Sequence, residues 1–330
     1  MKSPNLLIGY PYSLRYIVLL LFLLPNFISF AQQKAFPSAY GGGAFASGGR
    51  GGYVYHVTSL LDDNSEGTFR WALAQPRPST VVFDVSGIID LTSWLTLGGS
   101  DVTIAGQSAP VGGITITSST YQRFRGQDIN NFIVRYLRLR PRQSGDDAFE
   151  FYGNSAGASN IIMDHLSVSY GGDECISLRG QGTHNVTYQR LLVAEAKTGS
   201  LFGDSATPGN SYDNSYLNSL FYNISHRTPN VATNGRVDII NNVTHNWQYR
   251  LSMVEGNTKL NHINNYYSLG SRNSLTGGGS QIQLNPLVSS YNNQIYTAGN
   301  IADKGAFTDP NANNEVLWVE FSSGAQTSYA

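Results

Sequence analysis

The chain has 330 residues, a formal net charge of -1 and only 13% charged residues. A balance so close to neutral excludes a partner held mainly by bulk charge, such as nucleic acid or an anionic membrane surface. Glycine (35) and tyrosine (20) are abundant, which argues against a helical bundle and for a β-rich protein with many turns.

The N-terminus reads as an export signal. Lys2 and Arg15 precede the apolar run YIVLLLFLLPNFISFA, and Ser29-Phe30-Ala31 supplies the small residues that a signal peptidase reads. Pro25 and Asn26 interrupt the run, which is short for a membrane span. Cleavage after Ala31 is therefore expected, leaving residues 32–330 as a single domain with no membrane attachment. Cys175 is the sole cysteine, so no intramolecular disulfide can form. Tyr40 to Gly52 is glycine-rich but lacks the Gly-Lys-Ser/Thr ending of a phosphate loop, and turn formation accounts for it. Glu66 to Ala74 is a short helical candidate, stopped by Pro76 and Pro78.

From about residue 81, short β-branched segments recur: TVVFDVSG, DVTIAGQ, GITITSS, NNFIVRYLRLRP, NIIMDHLSVSY, NVTYQRLLVAEA, SYLNSLFYNIS and RVDIINNVTHN among them. The strand starts at Asn131, Asn160 and Asn185 are 29 and 25 residues apart, and Val237 to Leu260 is 23. Repeats of about 20 to 30 residues, each a strand or two with turns, predict an all-β solenoid of the β-helix type. A sandwich would repeat hairpin dipeptides, whereas Asn234-Gly235 is the conspicuous case here. The pairs Asn130-Asn131, Asn241-Asn242 and Asn264-Asn265 suit inward amide ladders at the bends of successive coils, against the plainer explanation that asparagine is common in turns.

A solenoid presents one residue per coil along each face, so groups distant in sequence can line one groove. Asp146-Asp147 in QSGDDAFEF and Asp173-Glu174 in YGGDECISL each follow glycine beside a strand. Together they offer oxygens to a hard cation such as Ca2+; singly, each is an ordinary solvated turn. Asp164 and His165 are neighbours on a strand, so alternation should point them to opposite faces and keep them from pairing. Lys197 follows one coil beyond Asp173, a usual surface charge that can also stand beside the acids. Arg227 and Arg236, in SHRTPNVATNGRVDIINN, have no acid between Arg227 and Asp238 and suit a polyanionic sugar chain. No serine-nucleophile elbow or zinc-binding histidine pattern occurs, and the acids leave a glycosidase open.

Taken in order, GGRGGYVYHVTSLLDDNSEGTFRWAL, VVFDVSGIIDL, VTIAGQSAPVGGITI, IVRYLRLRP, NIIMDHLSVSY and HRTP…GRVDIINNVTHNW make the chain resemble the pectate lyases of the parallel β-helix superfamily, in their secreted bacterial branch. The resemblance runs from about Ala35 through at least Trp247. It implies a right-handed, single-stranded parallel β-helix that cleaves polygalacturonate by Ca2+-assisted β-elimination, as a monomer outside the cytoplasm (extracellular or periplasmic). It assigns the base to Arg227 of Arg-Thr-Pro, and substrate-binding cations to Lys197 and Arg236, although the loop before Arg236 is longer here. Its Ca2+ ligands fall on Asp146 or Asp147 and on Asp173 with Glu174. There are two departures: Ser177 stands where the later coil should carry a second acid, and Ile162-Met163 replaces Trp-Ile before Asp164-His165. Beyond about Asn273 nothing matches sharply, so a shortened C-terminus is one expectation. The rival expectations are a pectin lyase or other polyuronate lyase, a glycoside hydrolase on the same architecture, and a non-catalytic carbohydrate-binding β-helix.

Overall fold

The computed structural model describes residues 32–119, 124–141, 145–203, 211–248, 251–272, 282–284, 292–302, 314, 318–320 and 326–329; the expected leader, residues 1–31, lies outside them. No helix among the described residues is long and apolar enough to cross a membrane.

The strands wind into a parallel solenoid with three faces. One coil is typical: Ala158–Asp164 on the first face, Ser167–Ser169 on the second and Glu174–Gly180 on the third. Among the described residues, the first faces stack as an 11-stranded sheet from Tyr53–Val57 to Gln326–Tyr329. The other two faces form a 17-stranded assembly, because the long strand Leu192–Gly203 bridges them. Its first part pairs with Ser167–Ser169 and Leu220–His226, its last part with Glu174–Gly180 and Asn230–Thr233. Along the 11-stranded sheet the register runs Phe132, Ile161, Val186, Asn214, Val237, Leu260. The irregular spacing seen in the sequence is therefore the length of each coil.

Alternation explains the interior. Phe132, Ile161, Val186 and Val237 point inward with the aromatic rings of neighbouring faces. Phe124 meets Phe149 edge-on at 4.5 Å, and Tyr188 meets Phe202 at 4.9 Å between ring centres. The N-terminal end is covered by the helix Phe69–Ala74, whose Phe69 packs on Phe83 and Phe124. This helix begins later than the candidate span from Glu66. Gly67 has φ +85°, and Thr68 is the extended N-cap whose side chain accepts from Trp71 N.

Corners after the 11-stranded sheet are made by residues in left-handed conformation: Tyr136, His165, Arg190, Asn218, Asn241 and Asn264. The next residue then turns inward. Asn242, Asn265, Asn300 and Asn314 form a buried amide ladder, each side-chain nitrogen donating to the following side-chain oxygen at 2.7–3.1 Å. Two of the three expected pairs thus sit at equivalent bends. Asn130-Asn131 is the exception, because it starts its strand instead of ending it and belongs to an outer ladder through Asn160 and Asn185.

The glycine-rich segment does more than turn. It crosses the outside of the 11-stranded sheet so closely that a Cβ on Gly42 would sit 1.7 Å from Asp213 O, and one on Gly43 1.9 Å from Ile161 O. Gly43 N donates to Thr187 Oγ1 and Gly49 N to Thr103 Oγ1, both at 2.9 Å. Ala39, Ala44 and Ala46 bury themselves against Ile133 and Ile162, so the departure at Ile162 lies beneath this strap.

Candidate active site

The site forms along the N-terminal edge of the third face. There the chain enters Phe149–Gly153 after Asp146-Asp147 and begins Glu174–Gly180 just after Asp173. In the next coils the same edge carries Lys197-Thr198 and then Arg227, ahead of Asn230–Thr233. Pairing of Phe149 with Ile176 brings Asp147 level with Glu174, and Glu174 pairs with Thr198. Main-chain bonds hold this edge: Gly172 N donates to Asp146 O at 3.0 Å, and Ala148 N to Glu174 O at 3.1 Å.

Asp147 is 6% exposed, and its Oδ1 accepts from Glu174 N at 3.1 Å. Burial pushes its carboxyl from 3.8 up to about 7. Glu174 is 2% exposed and forms an ion pair with Arg227. Asp173 is exposed, and its main-chain oxygen accepts from Thr198 Oγ1. Asp147, Asp173 and Glu174 each offer an oxygen within 4.8 Å of the others. Arg227 stands at a left-handed corner, φ +65°, anchored by Ser200 N donating to its carbonyl at 2.8 Å. Four of the expected residues, Asp147, Asp173, Glu174 and Arg227, therefore meet.

The others are placed differently. Asp146 is half-buried just outside the carboxylate trio. Lys197 is exposed and lines a cleft of about 490 Å³ with Tyr170, Gly171, Gly172, Glu195 and Arg272. Arg236 does not join the acids. It lies in the 11-stranded sheet, at the far end of the strand Asn230–Thr233 from Arg227, and pairs with Asp213 at 3.1 Å. That strand alone puts about 13 Å between them.

No protein-family model matches the chain. A curated protein named probable pectate lyase C, from Aspergillus flavus, is 38% identical over 249 residues, covering 73% of this chain and 56% of its own length. The chain spans a little over half the length of such relatives. This chain belongs to the pectate lyase family. Among solved structures, Jun a 1, the major allergen from cedar pollen, shares the fold with a TM-score of 0.66 at 17% identity, over 83% of this chain and 84% of that one. A pectate lyase from Bacillus sp. N165, in complex with trigalacturonate, superposes with a TM-score of 0.50 at 14% identity, over 88% and 94%.

Within this family member, Asp164 and His165 overturn the expectation that they point apart. His165 Nδ1 lies 2.8 Å from Asp164 Oδ2, because the left-handed backbone at His165, φ +56°, breaks strand alternation. Asp164 is fully buried and also bonds Arg135 at 2.7 Å, Arg190 at 3.0 Å and Gln189 at 2.6 Å. Burial would raise its carboxyl, but the hydrogen bonds from Gln189, His165 and Arg135 outweigh it and hold the group below the usual range. Gln189 and Arg190 both donate to Ser38 O, so Asp164 anchors the strap and stands outside the carboxylate trio.

Sequence reasoning missed two groups, Glu150 and Arg272. Glu150 is 1% exposed and clasped by Arg125 at 3.3 Å and Arg179 at 2.9 Å. Its place between Phe149 and Phe151 was the available signal, since strand alternation turns it away from the core. Ser177, the departure noted above, pairs with Glu150 in the ladder. Arg272, beyond the stretch that carries the resemblance, reaches back to donate to Asn223 O at 2.8 Å and Ser225 Oγ at 3.3 Å.

Proposed function

We propose that this protein is an exported polysaccharide lyase that cleaves polygalacturonate by Ca2+-assisted β-elimination, acting as a monomer. The observation that carries this reading is the meeting of Asp147, Asp173 and Glu174 with Arg227 at one edge of the solenoid, in a chain of this family.

The donor set fits Ca2+. Three carboxylates with oxygens inside 4.8 Å match a cation that takes hard oxygens at about 2.3–2.6 Å. Glu174 supplies the carboxylate that Ser177 does not. When bound there, Ca2+ would neutralise the substrate carboxylate and stabilise the enolate-like charge that develops beside it. Lys197, exposed on the cleft wall, would meet a carboxylate of the chain.

Arg227 would accept the C5 proton in its neutral form, since the guanidinium cation has no lone pair to offer. The electron pair left behind forms the C4–C5 double bond, and the C4–O bond breaks with its electrons going to the departing chain. In the ion pair with Glu174 Arg227 is the protonated guanidinium, so the transfer requires the two to part and Arg227 to give a proton to solvent first. Arg236 has no place in this step and would act only on a distant part of the polymer, if freed from Asp213.

The test is incubation with polygalacturonate, in Ca2+ or in chelator, while following the absorbance of the unsaturated product. Growth of absorbance that chelator abolishes is the expected result. Reducing ends without absorbance would identify a hydrolase, faster reaction on methyl-esterified substrate without Ca2+ a pectin lyase, and silence on every polyuronate a binding module.

A further inference from the structure

We propose that the cleft beside Trp94 is a distal subsite for the same acidic saccharide chain, an inference that rests on the lyase reading above. The edge that carries the acids continues toward the helix-capped end. Register through Leu95, Phe124, Phe149 and Ile176 puts Trp94 level with Ala148 and Cys175, the residues that follow Asp147 and Glu174. Ala148 and Cys175 are buried at this position, whereas Trp94 is 48% exposed. Three strand spacings of about 4.8 Å put it roughly 14 Å from the coil of Glu174. A few linked sugars span that distance.

The cleft has a volume of about 650 Å³, and Asn64, Arg70, Gln75, Arg77 and Thr96 line it together with Trp94. Its frame is rigid. Arg70 grips half-buried Asp62, whose side chain is 1% exposed, through Nε and Nη2 at 2.9 and 2.8 Å, and donates to the main-chain oxygens of Ser93 and Trp94 at 3.0 Å. The indole is thus presented by a clamped backbone. Arg77 donates to Gly98 O at 3.0 Å and Leu73 O at 2.7 Å, while its Nε has no hydrogen-bond partner. An exposed indole stacks on the C–H face of a pyranose ring, and the Arg77 guanidinium favours a sugar that carries a carboxylate, Arg70 being already paired with Asp62. Between cleft and acids the outward ladder positions are Thr96, Arg125 and Glu150, with Arg125 lying over the Tyr152 ring at 4.4 Å. The path is therefore polar and aromatic, with Arg125 paired to Glu150.

A chain too short to reach from the acids to Trp94 cannot use this subsite, so the test is dependence on substrate length. Trp94→Ala and Trp94→Phe are compared with the wild type on polygalacturonate and on trigalacturonate. Retardation in gels containing polygalacturonate provides a readout independent of turnover. Trp94→Ala should raise KM for the polymer about 5- to 10-fold, the loss of one stacked contact. Its kcat should stay within about twofold and its trimer kinetics unchanged, as expected for binding remote from the reacting bond. Trp94→Phe should recover most of the affinity. Unchanged polymer KM and retardation in Trp94→Ala, with an active wild type, would overturn the subsite and leave the lyase reading standing. Equal losses on trimer and polymer would also overturn it, since Trp94 would then act through the fold or the centre. A wild type that neither cleaves polygalacturonate nor is retarded by it would overturn both.

Discussion

Asp147 links the site to stability through pH. Its carboxyl is raised from 3.8 to about 7 because burial disfavours the charged form. A carboxyl raised in the folded state contributes stability in full below the unfolded value, and that contribution is lost as pH rises through about 7. The full shift corresponds to about 4 kcal/mol at high pH, of which about 2–3 kcal/mol falls between pH 5 and pH 8. Metal-free protein should accordingly be less stable at pH 8 than at pH 5. Cation binding needs the ionised carboxylate, so Ca2+ should stabilise strongly at pH 8 and weakly at pH 5. Asp147→Asn keeps the shape and removes the charge. In chelator it should be the more stable protein at pH 8, and it should lose most of the stabilisation that Ca2+ gives. Urea midpoints of wild type and variant, in chelator and in Ca2+ at both pH values, make the comparison, with other titrating groups cancelling between the two proteins. Identical pH slopes for variant and wild type would refute the reasoning.

Arg227→Lys should lose most turnover on polygalacturonate while keeping retardation by the polymer, because the charge remains and the fork geometry does not; near-normal turnover would remove Arg227 from its role as base. Gly43→Ala should cost about 3–4 kcal/mol, since a Cβ 1.9 Å from Ile161 O must lift the strap and strain its bond to Thr187. Gly51→Ala, with nothing within 4 Å but φ +76°, should cost only about 1–2 kcal/mol. Equal denaturation midpoints for the two glycine variants would show that the strap is not closely applied.

Much of the site was legible residue by residue. Both acidic pairs stand at strand edges, and Arg227 reaches Glu174 because one residue per coil recurs along a face. What remained hidden was which member of each pair turns inward. Asp147 and Glu174 are buried, while Asp173 is exposed. Arg236 was grouped with Arg227 because nine residues separate them in sequence, yet the intervening strand carries it to another face. Trp94 attracted no notice, since its neighbours along the edge come from segments tens of residues away.

The sequence by itself determined the all-β solenoid, the length of its coils, two of its asparagine bends and the residue types that gather at the edge. These are local properties: strand alternation, turn chemistry and a repeat set by how much chain one coil needs. Only the tertiary structure decided that Asp164 and His165 pair, that Gly42 and Gly43 are required by close backbone approach, and that Glu174 holds Arg227. Each of these depends on register between coils of unequal length, and each left-handed corner restarts the alternation that a strand pattern assumes. No single stretch of the chain encodes that register; it is set by hydrogen bonding and packing between neighbouring coils.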